Sequence, residues 1–134
     1  MTTLAPNASD APTQVGNRLP LISQRDRRRA ALTAAQLDPG RYLAIEDGDE
    51  VVVIAVGKGS LRFGRGQASD VVIEDRSVSR RHAVVTRRGG EVVLWDDRSL
   101  NGVRVNGERV RQAALRDGDA IALGDVQMRF LAID

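Results

Sequence analysis

Cysteine is absent from the 134 residues. No disulfide can staple this chain and no thiolate can hold a metal, and such usage suits an intracellular home. Aromatic residues make up only 3%, so a core has to rest on Val, Leu, Ile and Ala. Neither sign of charge dominates: Lys and Arg number 20 against 18 Asp and Glu, a net of +2. That balance argues against a surface given over wholly to nucleic acid. No apolar run approaches the roughly 20 residues of a membrane-spanning helix. The opening MTTLAPNASD lacks the basic start and apolar stretch of a signal peptide. A cytoplasmic protein is the expectation. His82 is the only histidine, and no His, Asp and Glu cluster suggests a metal or cofactor site, so none is expected.

What is present is enough apolar residue, 42%, for the core of one domain. The chain divides in three. Residues 1–22 are rich in Thr, Ala, Pro, Asn and Asp without periodicity, which predicts a disordered tail. Residues 23–40 predict a short basic helix or linker: Ser23 can cap it, Ala and Leu favour it, and Asp38-Pro39-Gly40 stops it. Its Arg25 to Arg29 run suits nucleic acid or an acidic partner, or simply a solvated face; short charge runs are common on surfaces. Residues 41–134 change to short β-branched runs with turn punctuation. Asp47-Gly48-Asp49, Gly89-Gly90, Asn106-Gly107 and Gly124-Asp125 read as hairpin turns between them. About eleven strands at this spacing predict an all-β antiparallel sandwich or barrel. Trp95, in one of those strands, suits core packing better than ligand stacking.

Candidate chemistry gathers at strand ends. Arg65 stands between Gly64 and Gly66, where the backbone can turn sharply and approach a ligand. Its planar fork of donors fits a phosphate or carboxylate. Ser79-Arg80-Arg81-His82 adds a hydroxyl and two guanidinium groups directly before a strand. Neighbours in extended chain point opposite ways, so one of Arg80 and Arg81 faces any ligand there. A lone histidine entering an apolar strand suits a buried, loop-tying ring better than catalysis. Asn101-Gly102 alone reads as a hairpin turn, yet the Asn101 carboxamide offers a donor and an acceptor to an extended peptide. No nucleophile has a base and orienting partner beside it, and Gly64-Arg65-Gly66 lacks the Lys-Ser/Thr ending of a nucleotide loop. Binding rather than turnover is expected; the chain does not read as an enzyme.

Taken in order, Gly64-Arg65, Ser79-x-x-His82, Asn101-Gly102, Val105-Asn106-Gly107 and Leu115-x-x-Gly118-Asp119-x-Ile121-x-Leu123-Gly124 closely resemble the forkhead-associated (FHA) domain. The resemblance spans roughly Arg41 to Leu131. It implies an eleven-stranded antiparallel β-sandwich that binds phosphothreonine peptides through loops at one end. It implies that Arg65 and Ser79 grip the phosphate, that Arg80 helps from the same loop, and that Asn101 holds the peptide backbone. Gly64, His82 and Gly102 fall at structural positions of these loops. Ser77 falls where the residue after the phosphothreonine is chosen. Leu100 departs from the family, since many members carry Thr there and Leu has no hydroxyl to offer. Implied partners are phosphothreonine proteins, such as a Ser/Thr kinase or its substrates, or a phosphate on the chain's own tail at Thr2, Thr3 or Thr13.

Overall fold

The computed structural model describes residues 2–4, 13–15 and 37–134. The β-branched runs become thirteen strands: β1 (Thr2–Leu4), β2 (Thr13–Val15), β3 (Gly40–Asp47), β4 (Glu50–Ala55), β5 (Gly59–Gly64), β6 (Val71–Ile73), β7 (Ala83–Arg88), β8 (Glu91–Asp96), β9 (Val103–Val105), β10 (Glu108–Val110), β11 (Gln112–Ala114), β12 (Ala120–Leu123) and β13 (Val126–Ile133). They form two sheets, ordered β1-β4-β3-β13-β12-β9-β10 and β11-β8-β7-β5-β6-β2. Strands β3 to β13 make the eleven-stranded sandwich. Its pairings are antiparallel except β5 with β6, which run parallel over two residue pairs.

Four turns close hairpins at the expected places: Asp47 pairs with Glu50, Arg88 with Glu91, Val105 with Glu108 and Leu123 with Val126. The Asn101-Gly102 turn differs. It does not join paired strands, because β8 and β9 lie in different sheets. The segment from Asp97 to Gly102 carries the chain from one sheet to the other. Strand β11 pairs with β8, Gln112 opposite Trp95. Its Gln-Ala-Ala sequence carries no β-branched residue, so composition gave it no strand signal.

Alternation sends one face of each sheet inward. Leu43, Ile45, Phe63, Ile73, Val85, Leu94, Ile121, Leu123, Met128 and Phe130 fill the space between the sheets. A second buried cluster, Tyr42, Ala44, Val51, Val53 and Leu131, lies on the other face of β3, β4 and β13, with Leu37 packed against it. Trp95 stays out of both clusters and is 41% exposed. Its register explains this: Val84, Trp95 and Gln112 form one cross-strand row, and that row faces outward while Leu94 takes the core.

Thr2–Leu4 pairs parallel with β4, and Thr13–Val15 pairs parallel with β6. The expectation of a disordered tail therefore does not extend to these two strands. Such short pieces gain their hydrogen bonds from sheet edges distant in sequence, which no local pattern announces. The helix expected from Ser23, and the Arg25 to Arg29 run, lie outside the described residues.

Candidate functional site

Three loops meet at one end of the sandwich: Arg65 to Asp70, Glu74 to His82, and Asp97 to Gly102. Gly64 decides how closely the first two approach. A Cβ at this position would stand 2.0 Å from the Arg80 carbonyl oxygen, so only glycine fits. The following amides use that closeness. Arg65 N donates to Ser79 O at 2.9 Å and Gly66 N to Arg80 O at 3.0 Å. Arg65 Nε donates to Val78 O at 2.9 Å. The guanidinium is thus braced by one nitrogen, and its two terminal amino groups have no partner among the described residues. The side chain is exposed.

His82 fixes the second loop from inside. It is fully buried. Ser79 N donates to its Nδ1 at 3.0 Å, and its Nε2 lies 2.8 Å from Gly102 O. A neutral ring with its proton on Nε2 satisfies both contacts, accepting at one nitrogen and donating at the other. Burial lowers the pKa below the ordinary 6.5, against smaller upward pulls from the Gly102 carbonyl and Asp96. Both ring nitrogens face backbone, so the ring has no free edge for the Ser79 hydroxyl. The Ser79 Oγ instead accepts from Leu100 N at 2.9 Å. Its own proton remains available for an acceptor.

Asn101 ties the third loop to the second. Its Nδ2 donates to Ser77 O at 2.9 Å. The carboxamide oxygen has no partner among the described residues, and the side chain is exposed. Ser77 is a brace: its N and Oγ both donate to Asp75 Oδ1, at 2.9 and 2.6 Å, and its Oγ accepts from Asp125 N at 2.7 Å. The β12–β13 turn is thereby stitched beneath the loops. Leu100 projects into solvent, 83% exposed. Gly102, at φ +84°, leaves room for Arg109, whose Nε would lie 2.5 Å from a Cβ there.

The two neighbouring arginines separate cleanly. Arg81 makes a bidentate pair with Asp97, Nε to Oδ2 and Nη2 to Oδ1 at 3.0 Å each. That carboxylate raises the Arg81 pKa, chiefly through the hydrogen bond and then through charge. Arg80 is exposed and its guanidinium has no partner among the described residues. At these loop tips, called the cup below, Arg65 and Arg80 keep donors without partners among the described residues, as does the Ser79 hydroxyl, and the Asn101 carboxamide oxygen is likewise without one. Arg81 is spent on holding the Asp97 loop. Asp97 and Asp75, neither singled out by sequence, position that loop and Ser77. Their pairing lies sixteen residues off in one case, beyond any local signal. Among the described residues no cluster of His, Asp and Glu could hold a metal ion, and no helix is long and apolar enough to cross a membrane.

Residues 61–124 match the profile of the FHA domain family. Among curated proteins, the glycogen accumulation regulator GarA of Mycolicibacterium smegmatis is 44% identical over 68 residues, 51% of this chain and 43% of GarA. The chain spans less than half the length of the curated relatives it matches. Among solved structures, the FHA domain of FhaA, complexed with the intracellular domain of Rv3910, is 34% identical with a TM-score of 0.64, over 68% of this chain and 99% of that one. A domain from a study of phosphothreonine-dependent FHA domain interactions is 33% identical with a TM-score of 0.67, over 70% of this chain and 97% of that one.

Proposed function

This chain belongs to the FHA domain family, and from that premise we propose that it is a non-catalytic, cytoplasmic module that binds phosphothreonine peptides in Ser/Thr kinase signalling. One observation carries the reading. The free amino groups of Arg65 and the free proton of Ser79 sit on two backbones locked together by the Arg65 N to Ser79 O bond of 2.9 Å. They are donors held in advance, with nothing of the protein's own to satisfy them.

A phosphothreonine brings about −1.5 to −2 charges and three acceptor oxygens. Arg65 and Ser79 meet those oxygens, and Arg80 adds charge from the same loop. Asn101 Oδ1 accepts an amide of the peptide while Nδ2 keeps its bond to Ser77. Gly64, His82 and Gly102 hold the loops, and Ser77 acts through its carbonyl on Asn101. Leu100 offers the ligand an apolar surface in place of a hydroxyl. Arg81 contributes by fixing Asp97 rather than by touching phosphate. Turnover has no support in this geometry, because neither nitrogen of His82 reaches the Ser79 hydroxyl.

Charge-assisted hydrogen bonds are worth roughly 1.5–3 kcal/mol each. Arg65→Ala is therefore expected to weaken a phosphothreonine peptide from about tenfold to over a hundredfold. The test is a phosphopeptide-library pull-down with wild type and Arg65→Ala side by side, followed by calorimetry on the peptides retained. Equal retention by both proteins, or equal binding of unphosphorylated peptides, would overturn the reading.

A further inference from the structure

Beside the Asp97 to Gly102 segment lies an open recess of about 840 Å³, lined by Trp95, Arg98, Arg109 and Arg111 among others. None of these three guanidinium groups has a hydrogen bond or ion pair among the described residues. The recess has one carboxylate, Asp96, whose Oδ1 already accepts from Ser99 N at 2.8 Å. Its potential is therefore positive. Arg109 also stands directly opposite Arg104 across the β9–β10 pair. Like charges opposed in this way destabilise a hairpin, and a bound anion removes that repulsion. Arg98 holds a left-handed backbone, φ 61°, which is uncommon outside glycine and clusters at ligand-holding positions. Trp95 lines the same recess with a half-exposed ring, its Nε1 donating to Thr86 Oγ1 at 3.2 Å, and an apolar stem beside an acidic group can lie against it.

The recess adjoins the loop segment that carries Asn101. Arg98 belongs to the same segment as Asn101, and Arg109 crosses over Gly102, the next residue. A peptide held at Asn101 has the Arg109 side chain beside the next residue, Gly102.

We propose that this recess is a second subsite, which takes an acidic stretch of the same phosphothreonine partner. The proposal rests on the phosphothreonine reading. It assigns Arg98, Arg109, Arg111 and Trp95 to specificity rather than to the phosphate grip. Nucleic acid fits less well, since the recess is bounded by Asp96 and holds three arginines rather than a basic track.

The test uses the full chain and four synthetic peptides. Three carry one phosphothreonine, with neutral flanks, with an acidic run before it, or with an acidic run after it. The fourth is an acidic peptide without phosphate. Trp95 is the only tryptophan, so its emission reports on the recess alone. One of the two acidic phosphopeptides is expected to bind about threefold to tenfold more tightly than the neutral one at low ionic strength, the sum of a few exposed ion pairs. The gain fades with salt, and only that peptide shifts the Trp95 emission. In the double variant Arg109→Gln, Arg111→Gln the gain disappears while the neutral phosphopeptide binds as to wild type, which also shows that the variant is folded. Equal binding of all three phosphopeptides, or a gain that survives in the double variant, would overturn the subsite and leave the phosphate reading intact. Binding of none of the phosphopeptides would overturn both. An oligonucleotide that shifts Trp95 emission more than the acidic phosphopeptide does would also overturn it.

Discussion

At the scale of single residues, the site depends on what is missing as much as on what is present. Gly64 supplies no donor and no charge, yet the spacing of Arg65 and Ser79 rests on it. A methyl group there meets backbone, the Arg80 carbonyl oxygen at 2.0 Å and its carbon at 2.8 Å, and backbone cannot swing aside as a side chain does. Forced overpacking of this kind costs about 1–3 kcal/mol. Gly64→Ala is expected to lower the thermal midpoint by roughly 5–15 °C and to weaken phosphopeptide binding with it. Gly57 has nothing within 4 Å of an added Cβ, so Gly57→Ala should leave both unchanged. Calorimetric melts of the two variants against wild type check this, and equal midpoints for Gly64→Ala and wild type would remove the argument. Residue identity also marks the limit of sequence. Gly64, Arg65, Ser79 and Asn101 stood out because glycine flanks, hydroxyls and carboxamides are scarce signals. The fate of Arg81 could not be read, since Asp97 captures it across the fold. Nor could the exposure of Trp95, because a strand's pattern says which residues share a face but not which face is covered.

At the scale of elements, hairpins were legible and crossings were not. A turn such as Asn106-Gly107 specifies its own geometry within a few residues. Asn101-Gly102 has the same letters, but the strands on either side belong to different sheets, and only the tertiary partners of β8 and β9 decide that. His82 is the device that holds this crossing to the loop before β7. Its Nδ1 accepts from Ser79 N and its Nε2 donates to Gly102 O, so a proton added at Nδ1 would confront an N–H. The sign of the linkage follows. The folded pKa lies below 6.5, so the unfolded chain takes up the proton first as pH falls. The stability from the neutral ring is complete above about pH 6.5 and is lost as pH falls through the folded pKa, at up to about 1.4 kcal/mol per unit. Thermal midpoints should therefore fall between about pH 7.5 and 5.5, and most of that fall should vanish in His82→Gln. Because His82 is the only histidine, its ring signal in an NMR titration is unambiguous. A midpoint at or above 6.5 would contradict the linkage.

At the scale of the whole molecule, the question is what covers the sheet edges. Each sheet ends on one side in a strand from the amino-terminal segment, β1 beside β4 and β2 beside β6. Without them β4 would present Val51, Val52, Val53 and Ile54 on an open edge. That run is apolar, β-branched and free of proline, the composition that pairs with other chains. The net stability at stake is small. Each three-residue pairing contributes backbone hydrogen bonds of about 1 kcal/mol net apiece, but ordering the residues costs about 1–2 kcal/mol each. The two terms nearly cancel, so the strands act as covers rather than as staples. A variant lacking residues 1–15 is therefore expected to melt within about 4 °C of the full chain at low concentration. It should still bind phosphothreonine peptide, because the contacts described at the cup lie between Phe63 and Asp125. Its difference should appear on concentrating: light scattering should report self-association that the full chain lacks, and Val52→Lys, which puts a charge on the bared edge, should suppress it. If the shortened chain stays as monodisperse as the full one, the edges are protected by something other than these strands. If it loses ten degrees or more of stability even when dilute, β1 and β2 are structural members of the sandwich, and the cancellation argued from their length does not hold.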